Sequence, residues 1–386
     1  MISVHDIYDK NVNLLIGSGA SYGLLPTLSL KIRDPFGAPW SLENLGAVFS
    51  ANRDPRFIPL FMHYYQSCIR PAQCLDPTAF DPVGKSVLNN YTQLLETLLA
   101  MLLRRPQHDR RCNIFTTNYD GCIALAADEI MDRSPEFILN DGTRGFRVRK
   151  LAVRNFNSFY SHTGVFDRHQ TSLPQINLVH LHGSVCWRAG SRGIEVDYLS
   201  TTDDLLDQEA KDALAPFSAV LMDENAHLEA LPTSTMNEAK LNRFWADYKR
   251  IPIVNPTEWK FHETLYEEHY YQMLRMLSYE LEKPNAILIT FGFSFADEHI
   301  RNLIVRSLSN PQLQVYVCCY DEAEQTRLMH RFSNYKNVSC ICLDGVRLLD
   351  FEAFNSEVFT LSTPKPSIPP TPGSSAVTVA ATAAAS

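Results

Sequence analysis

Short apolar runs alternate along this chain with longer segments whose apolar residues recur every three or four positions. The short runs predict strands at Val12–Ile16, Cys112–Thr116, Ile176–Leu181, Ala286–Gly292, Gln314–Tyr320 and Val338–Leu343. The helical spacing predicts helices at Leu88–Arg105, Gly121–Met131, Glu258–Leu281 and Glu298–Leu308. Strands that are apolar at nearly every position are buried on both faces. The pattern therefore predicts an α/β fold, a Rossmann-like parallel sheet covered by helices on both faces.

The segments between these elements predict one domain with two insertions and a tail. We expect a single domain over residues 1–360, with a helical insertion at about 40–110 and an irregular acidic insertion with short helices at about 190–250. The tail over 361–386 is rich in Pro, Ser, Thr and Ala and has no core-forming pattern. Such a composition is typical of disorder.

Composition narrows the function classes. The chain has 386 residues, 45% of them hydrophobic, and a formal net charge of −8, which argues against direct nucleic-acid binding. No apolar stretch is long enough to span a membrane, and the first residues lack the pattern of a secretory signal. The nine cysteines are odd in number and several lie in predicted strands, which favours reduced thiols and a cytoplasmic location. No Cys-x-x-Cys pair occurs, so we expect no zinc module and no bound metal.

A glycine-containing turn follows the first predicted strand. It reads Gly17-Ser18-Gly19-Ala20-Ser21. Two glycines let a backbone approach a pyrophosphate, and the start of a following helix presents free N–H groups to the anion. The spacing departs from G-x-G-x-x-G, so a tight turn without a ligand is the alternative.

Polar residues also follow the second predicted strand, where Thr117, Asn118 and Asp120 stand close together. Ligands of open parallel sheets bind outside the carboxyl ends of the strands. A carboxamide both donates and accepts hydrogen bonds, so Asn118 can orient a ribose hydroxyl or a water. Asp120 can add electrostatic support, and a helix cap is the alternative for both Asn118 and Asp120.

Two histidines close the third predicted strand. His180 and His182 face the same side, because alternate residues of a strand do so. His182 lies at the strand end beside Gly183, which permits close approach of a ligand, and its imidazole can act as a general base. For His180 we expect a hydrogen-bonded core position, and a metal-binding pair is the third interpretation.

The fourth predicted strand ends in glycine and polar residues. Gly292 and Ser294 can contact the adenosine half of a dinucleotide, and an ordinary strand-to-helix turn is the alternative. Asp297 is predicted to cap the helix that follows.

Together these strings resemble the sirtuin superfamily. That family has a Gly-Ala-Gly-Ala-Ser-type loop, a Thr-Gln-Asn-x-Asp string, a catalytic His-Gly string and a later Gly-Thr-Ser-like string. The matching strings lie within residues 10–345, but Thr117 stands in place of Gln and the paired cysteines of the zinc module are missing. The chain is more similar to the zinc-free bacterial sirtuin-like proteins of antiphage defence. Those proteins hydrolyse NAD, several act in large assemblies, and some pair with a HerA-type ATPase.

The resemblance implies an NAD hydrolase that cleaves the nicotinamide–ribose bond to give nicotinamide and ADP-ribose. NAD is then the substrate and no zinc is expected. The implied catalytic residues are Asn118 and His182, and the implied NAD-binding residues are Gly17, Ser18, Gly19, Ala20, Ser21, Thr117, Asp120, Gly292 and Ser294. We expect a homo-oligomer and a HerA-type ATPase partner. An NAD-dependent protein deacylase and a non-catalytic sensor of NAD or ADP-ribose that regulates a partner are the alternatives.

Overall fold

The structure is a computed structural model. It describes residues 7–106, 109–133, 136–163, 170–190, 193–199, 203–254 and 264–361. The tail beyond residue 361 and the first part of the helix predicted from Glu258 lie outside these ranges. None of the helices within them is long and apolar enough to cross a bilayer.

The chain alternates between strands and helices for most of its length. The strands are β1 Asn11–Ile16, β2 Ser29–Arg33, β3 Pro39–Ser41, β4 Arg111–Thr116, β5 Ile138–Asn140, β6 Thr143–Arg144, β7 Lys150–Leu151, β8 Ser161–Thr163, β9 Gln170–Ser172, β10 Gln175–His180, β11 Trp187–Gly190, β12 Gly193–Val196, β13 Ala286–Phe291, β14 Gln314–Cys318 and β15 Val338–Ile341. The helices are α1 Leu42–Ala51, α2 Phe57–Tyr64, α3 Arg70–Gln73, α4 Pro82–Leu103, α5 Cys122–Arg133, α6 Gln208–Leu221, α7 Glu238–Tyr248, α8 Thr264–Leu281, α9 Glu298–Ser307, α10 Glu322–Arg331 and α11 Phe351–Ala353.

Seven strands form the central sheet in the order β15-β14-β13-β1-β4-β10-β5. Every neighbouring pair in it is parallel. The predicted parallel sheet is therefore confirmed, and all six predicted strands belong to it. The edge strand β5 and the small antiparallel sheet β11-β12-β7-β6 were not predicted, since they are only two to four residues long and carry little periodicity.

The sheet is covered on both faces, as the sequence predicts. Leu14 and Ile114 belong to the core that includes residues of α4 and α5. Their neighbours Leu15 and Phe115 point to the opposite face and join the core formed with α8, α9 and α10. This is the alternation expected of strands buried on both sides.

The first part of the insertion predicted at about 40–110 packs against the insertion at about 190–250, and together they form a helical layer with its own core, whereas α4 packs on the central sheet. That core is made largely by α1, α2, α6 and α7. The rings of Phe57 and Phe61 in α2 lie 5.3 and 5.2 Å from the ring of Trp245 in α7. Aromatic contacts at this spacing are favourable beyond the area they bury.

The insertion at about 190–250 is more regular than predicted, because its acidic residues begin and support helices. The Asp207 side chain accepts the Ala210 N–H at 2.7 Å and so caps α6. Asp204 lies 2.8 Å from the Lys211 ammonium group. Local acidity here therefore indicates helix starts and ion pairs.

A ladder of buried amides crosses four strands of the central sheet. Its members are in register with one another and are Asn13 in β1, Asn113 in β4, Asn177 in β10 and Asn140 in β5. Asn113 donates to Asn13 at 2.8 Å, Asn177 donates to Asn113 at 2.8 Å, and Asn140 donates to Asn177 at 3.0 Å. The last donor, Asn13, reaches the Ile287 carbonyl in β13 at 3.2 Å. Each amide is satisfied only when the strands keep this register.

We predict that Asn113→Ala lowers the free energy of unfolding by about 2–4 kcal/mol, because it leaves one buried acceptor and one buried donor unpaired at roughly 1–3 kcal/mol each. Urea unfolding followed by circular dichroism measures the change. Asn89→Ala, on the exposed face of α4, is the control and is expected to change stability by less than about 0.5 kcal/mol. Equal effects of the two substitutions would contradict a stabilising role of the ladder.

Candidate functional site

The carboxyl ends of four parallel strands lie side by side in the sheet. Ile16 of β1 is in register with Phe291 of β13 and with Thr116 of β4. Thr116 is in turn in register with His180 of β10. The polar strings identified in the sequence follow these strand ends, so the fold brings all of them to one edge of the sheet.

The first and last of these strings pack backbone against backbone. The Gly17 N–H donates to the Phe291 carbonyl and the Gly19 N–H to the Gly292 carbonyl, both at 3.0 Å. A Cβ on Gly17 would lie 2.3 Å from the Gly292 oxygen, and one on Gly292 would lie 2.5 Å from the Ala20 nitrogen. The φ of Gly292 is +63°, in the left-handed region. The glycines are therefore needed for this contact between loops, whatever ligand the loops bind.

The loop after β1 differs from the expected strand-to-helix turn. It continues as a single 3-10 turn over Ser18–Ser21 instead of an α-helix. Ser18 and Gly19 are exposed, as is Ser294 in the neighbouring loop, whereas Ala20 packs in the core. The exposed members of the predicted NAD-binding set thus face outward at the same edge, while Ala20 supports the loop from inside.

The Asn118 carboxamide is held by a buried network. Its Nδ2 donates to Ser21 Oγ at 3.1 Å and lies 3.4 Å from the Tyr91 hydroxyl. Ser21 Oγ in turn donates to Asp120 Oδ2 at 2.9 Å and lies 2.8 Å from the Tyr91 hydroxyl. These four residues come from the first loop, the second loop and helix α4, so the network joins three parts of the fold.

The directions of these hydrogen bonds follow from which groups can donate. A carboxylate only accepts, so the single Ser21 proton points to Asp120. Tyr91 must then donate its hydroxyl proton to Ser21 Oγ. Burial, and then the Asp120 charge, raises the pKa of Tyr91, so the hydroxyl keeps that proton. Because the donor side of Asn118 is fixed in this way, Oδ1 is left as a buried acceptor without a hydrogen-bond partner in the described part of the chain.

Asp120 uses both carboxylate oxygens inside the protein. Oδ2 accepts from Ser21, and Oδ1 accepts the Cys122 backbone N–H at 3.0 Å at the start of α5. Its geometry is that of a group that holds the loop in place. Thr117 is only partly buried, and its backbone N–H donates to the Ile16 carbonyl at 3.1 Å.

His180 occupies the hydrogen-bonded core position that was expected for it. It is buried, and its Nδ1 lies 3.0 Å from the Asn118 backbone oxygen. Burial lowers the pKa of His180, so the imidazole is neutral and Nδ1 carries the donated proton. His180 therefore fixes the backbone of Asn118.

His182 lies two residues beyond the end of β10 and is enclosed by several segments. Its carbonyl accepts the Val254 N–H at 2.8 Å. Its Nε2 lies 3.0 Å from Asp297 Oδ2, and the two side chains are 12% and 14% exposed. The N–H direction of the ring is not aligned with this oxygen, so the contact is a close pairing rather than a well-formed hydrogen bond. The ring also lies 6.4 Å from that of Tyr270 in α8.

A cavity of about 10 Å³ lies beside the histidine string, between β10, the 251–254 segment and α8. His180, Gly183, Pro252 and Tyr270 are among its lining residues. A space of this size holds about one water molecule. Across the described ranges of the chain, no group of three or more His, Cys, Asp or Glu side chains could hold a metal ion.

Two residues of this site were missed or only partly understood from the sequence. Tyr91 occupies an apolar position of the α4 pattern, and nothing in that pattern signals that its hydroxyl meets Asn118. Asp297 was predicted as a cap, and it does cap α9 by accepting the Ile300 N–H at 2.9 Å. A helix cap needs only one carboxylate oxygen, and the sequence gives no indication of where the other one lies.

One known protein-family model matches this chain. The model of the SIR2-like domain matches residues 113–341, more than half of the chain. The matched range contains Asn118, His182 and Asp297, and the glycine loop after β1 precedes it. No protein with a curated description matches the chain. The chain belongs to the SIR2-like family, a family that binds NAD.

Proposed function

We propose that the protein is an NAD hydrolase that cleaves the nicotinamide–ribose bond. The observation that carries the proposal is Asn118 Oδ1, a buried acceptor with no hydrogen-bond partner among the described residues. The donor side of this carboxamide is held by Ser21, and Asn118 follows β4, the neighbour of the strand that His182 follows. The carboxamide oxygen can orient a water or a ribose hydroxyl, and the imidazole after the adjacent strand can take a proton.

The residues at the sheet edge fit a dinucleotide. Ser18, Gly19 and Ser294 are exposed there, and Gly292 is half-buried. We assign these residues, with Thr117, to NAD binding. Ala20, Ser21 and Asp120 then support the site from within, because their side chains face the interior.

The proposed reaction divides its tasks between two side chains. Bound NAD supplies a glycosidic bond whose leaving group, nicotinamide, becomes neutral as it departs, so no strong general acid is required. Asn118 Oδ1 orients the attacking water by accepting one of its hydrogens. His182 takes the other proton while the water oxygen bonds to the ribose C1′ and the electron pair of the broken bond leaves with nicotinamide.

The small cavity lined by His180 and Gly183 favours water as the acceptor. A protein deacylase transfers an acyl group from a lysine side chain and needs a channel for it. The cavity described above has room for about one water, which agrees better with hydrolysis.

We predict that Asn118→Ala and His182→Ala each lower the rate of nicotinamide release from NAD at least about 100-fold, because each removes a group that positions or activates the nucleophile. Liquid chromatography of the released nicotinamide measures the rate, and thermal unfolding checks that the variants fold. Asn89→Ala and His330→Ala, both at exposed positions, are the matched controls and should retain full activity.

Three outcomes would overturn this assignment. Full activity of folded His182→Ala would remove the general base from the mechanism. NAD consumption that requires an acetylated peptide would instead indicate a deacylase, and NAD binding without turnover, in the presence of a partner, would indicate a sensor.

We predict that Tyr91→Phe lowers kcat about tenfold with KM little changed, because the lost hydroxyl is worth about 1.4 kcal/mol in holding Asn118. Steady-state kinetics with NAD measures both constants. Tyr279→Phe on the exposed side of α8 is the control. An unchanged kcat in Tyr91→Phe would show that Ser21 and Asp120 hold the amide without it.

We further propose that the protein acts in antiphage defence as an NAD-depleting effector in a homo-oligomer with a HerA-type ATPase, as the resemblance implies. Uncontrolled NAD hydrolysis harms its host, so assembly is expected to restrain the activity. Light scattering after size exclusion, with and without such an ATPase, is expected to show an oligomer whose rate of nicotinamide release depends on the partner. A monomer under every condition, with the same rate throughout, would contradict this proposal.

A further inference from the structure

We propose that Asp297 is a positioning residue that sets the tautomer of His182 and leaves Nδ1 as its basic nitrogen; this rests on the proposed function. The two carboxylate oxygens of Asp297 contact different groups. One oxygen accepts the Ile300 N–H at 2.9 Å at the start of α9, and the other lies 3.0 Å from His182 Nε2. The backbone of α9 thereby fixes the direction in which the second oxygen points.

The pairing is enclosed. The two side chains are 12% and 14% exposed, and Nε2 itself is shielded from solvent. Buried carboxylate–imidazole pairs interact more strongly than exposed ones, because little water screens them. The start of α9 also stabilises negative charge on Asp297 through the helix dipole.

The chemistry of the pair assigns the proton. An ionised carboxylate only accepts hydrogen bonds, so the favourable neutral form of His182 carries its hydrogen on Nε2. Nδ1 then has the free lone pair that removes a proton from water or from a ribose hydroxyl. When His182 accepts that proton, Asp297 stabilises the resulting imidazolium while remaining ionised itself. The misaligned contact seen here is expected to tighten when the substrate binds.

A neighbouring side chain strengthens this arrangement. Burial raises the pKa of Tyr270, with the charge of Asp297 a smaller cause, so this phenol remains neutral beside the imidazole. Tyr270 therefore brings no competing charge to His182. Asp297 supplies the negative charge that stabilises the imidazolium formed when His182 accepts a proton.

The test compares two substitutions that both preserve the helix cap. Asn at 297 can still cap α9 through its oxygen, but it turns an N–H toward His182 Nε2 and so favours the wrong tautomer. Ser at 297 can also cap, but it is too short to reach the imidazole. Asp321→Asn is the matched control, because Asp321 caps α10 by accepting the Glu324 N–H at 2.7 Å.

We predict that Asp297→Asn lowers kcat on the order of 100-fold with KM changed less than about threefold, and that Asp297→Ser lowers kcat less. Thermal unfolding should place both variants close to Asp321→Asn in stability. In the His182→Ala background, Asp297→Asn should have no further effect on the rate, because the residue that it positions is gone.

A measurement that is independent of activity is 15N NMR of the full chain labelled at histidine, with His182→Gln used to assign the signals. The wild-type spectrum at alkaline pH should show the proton of His182 on Nε2, and Asp297→Asn should move it to Nδ1. A wild-type proton on Nδ1, or a tautomer unchanged by the substitution, would overturn the proposal. A protein that shows the expected tautomer but releases no nicotinamide from NAD would support the positioning role and refute the hydrolase.

Discussion

Register of the central sheet is the constraint on which the rest of this structure depends. The amide ladder holds it, because each buried carboxamide finds its partner only at one alignment of the strands. A slip of one residue would bury unpaired amides and would also turn alternate side chains to the opposite face. The alignment that satisfies Asn113 and Asn177 is the one that brings the end of β4 level with the end of β10. Asn118 and His182 follow those two strand ends.

The site combines groups that the protein satisfies internally with groups that it leaves free. Ser21 forms hydrogen bonds with both Tyr91 and Asp120, and it also accepts from the donor side of Asn118. Asn118 Oδ1 is left without such a partner within the ranges that the structure describes. A buried acceptor in this state costs free energy, so its retention is reasonable where a ligand or water completes it. His182 likewise combines a held group with a free one. We assign its Nε2 to the contact with Asp297 and its Nδ1 to proton transfer.

Several conclusions about the fold and the site could be drawn from the sequence because they depend on local periodicity. Six of the seven strands of the parallel sheet and the helices after β4 and β13 follow from apolar spacing. The helix before β4 was also found, although it begins at Pro82 rather than Leu88. The polar strings were located because functional residues of such sheets follow strand ends. Short helices were predicted in the acidic insertion, but their regular packing was not, because it depends on contacts with α2, a segment far away in the chain.

The sequence by itself determined six strands of the central sheet with the main helices between them, the burial of the sheet on both faces, and the placement of Asn118 and His182 after strands. Only the tertiary structure decided how those residues are held. Tyr91 reaches Asn118 from a helix, and Asp297 reaches His182 from 115 positions further along the chain. The physical reason is that a hydrogen bond depends on distance and direction in space, whereas a sequence pattern reports only which face of its own strand or helix a residue occupies.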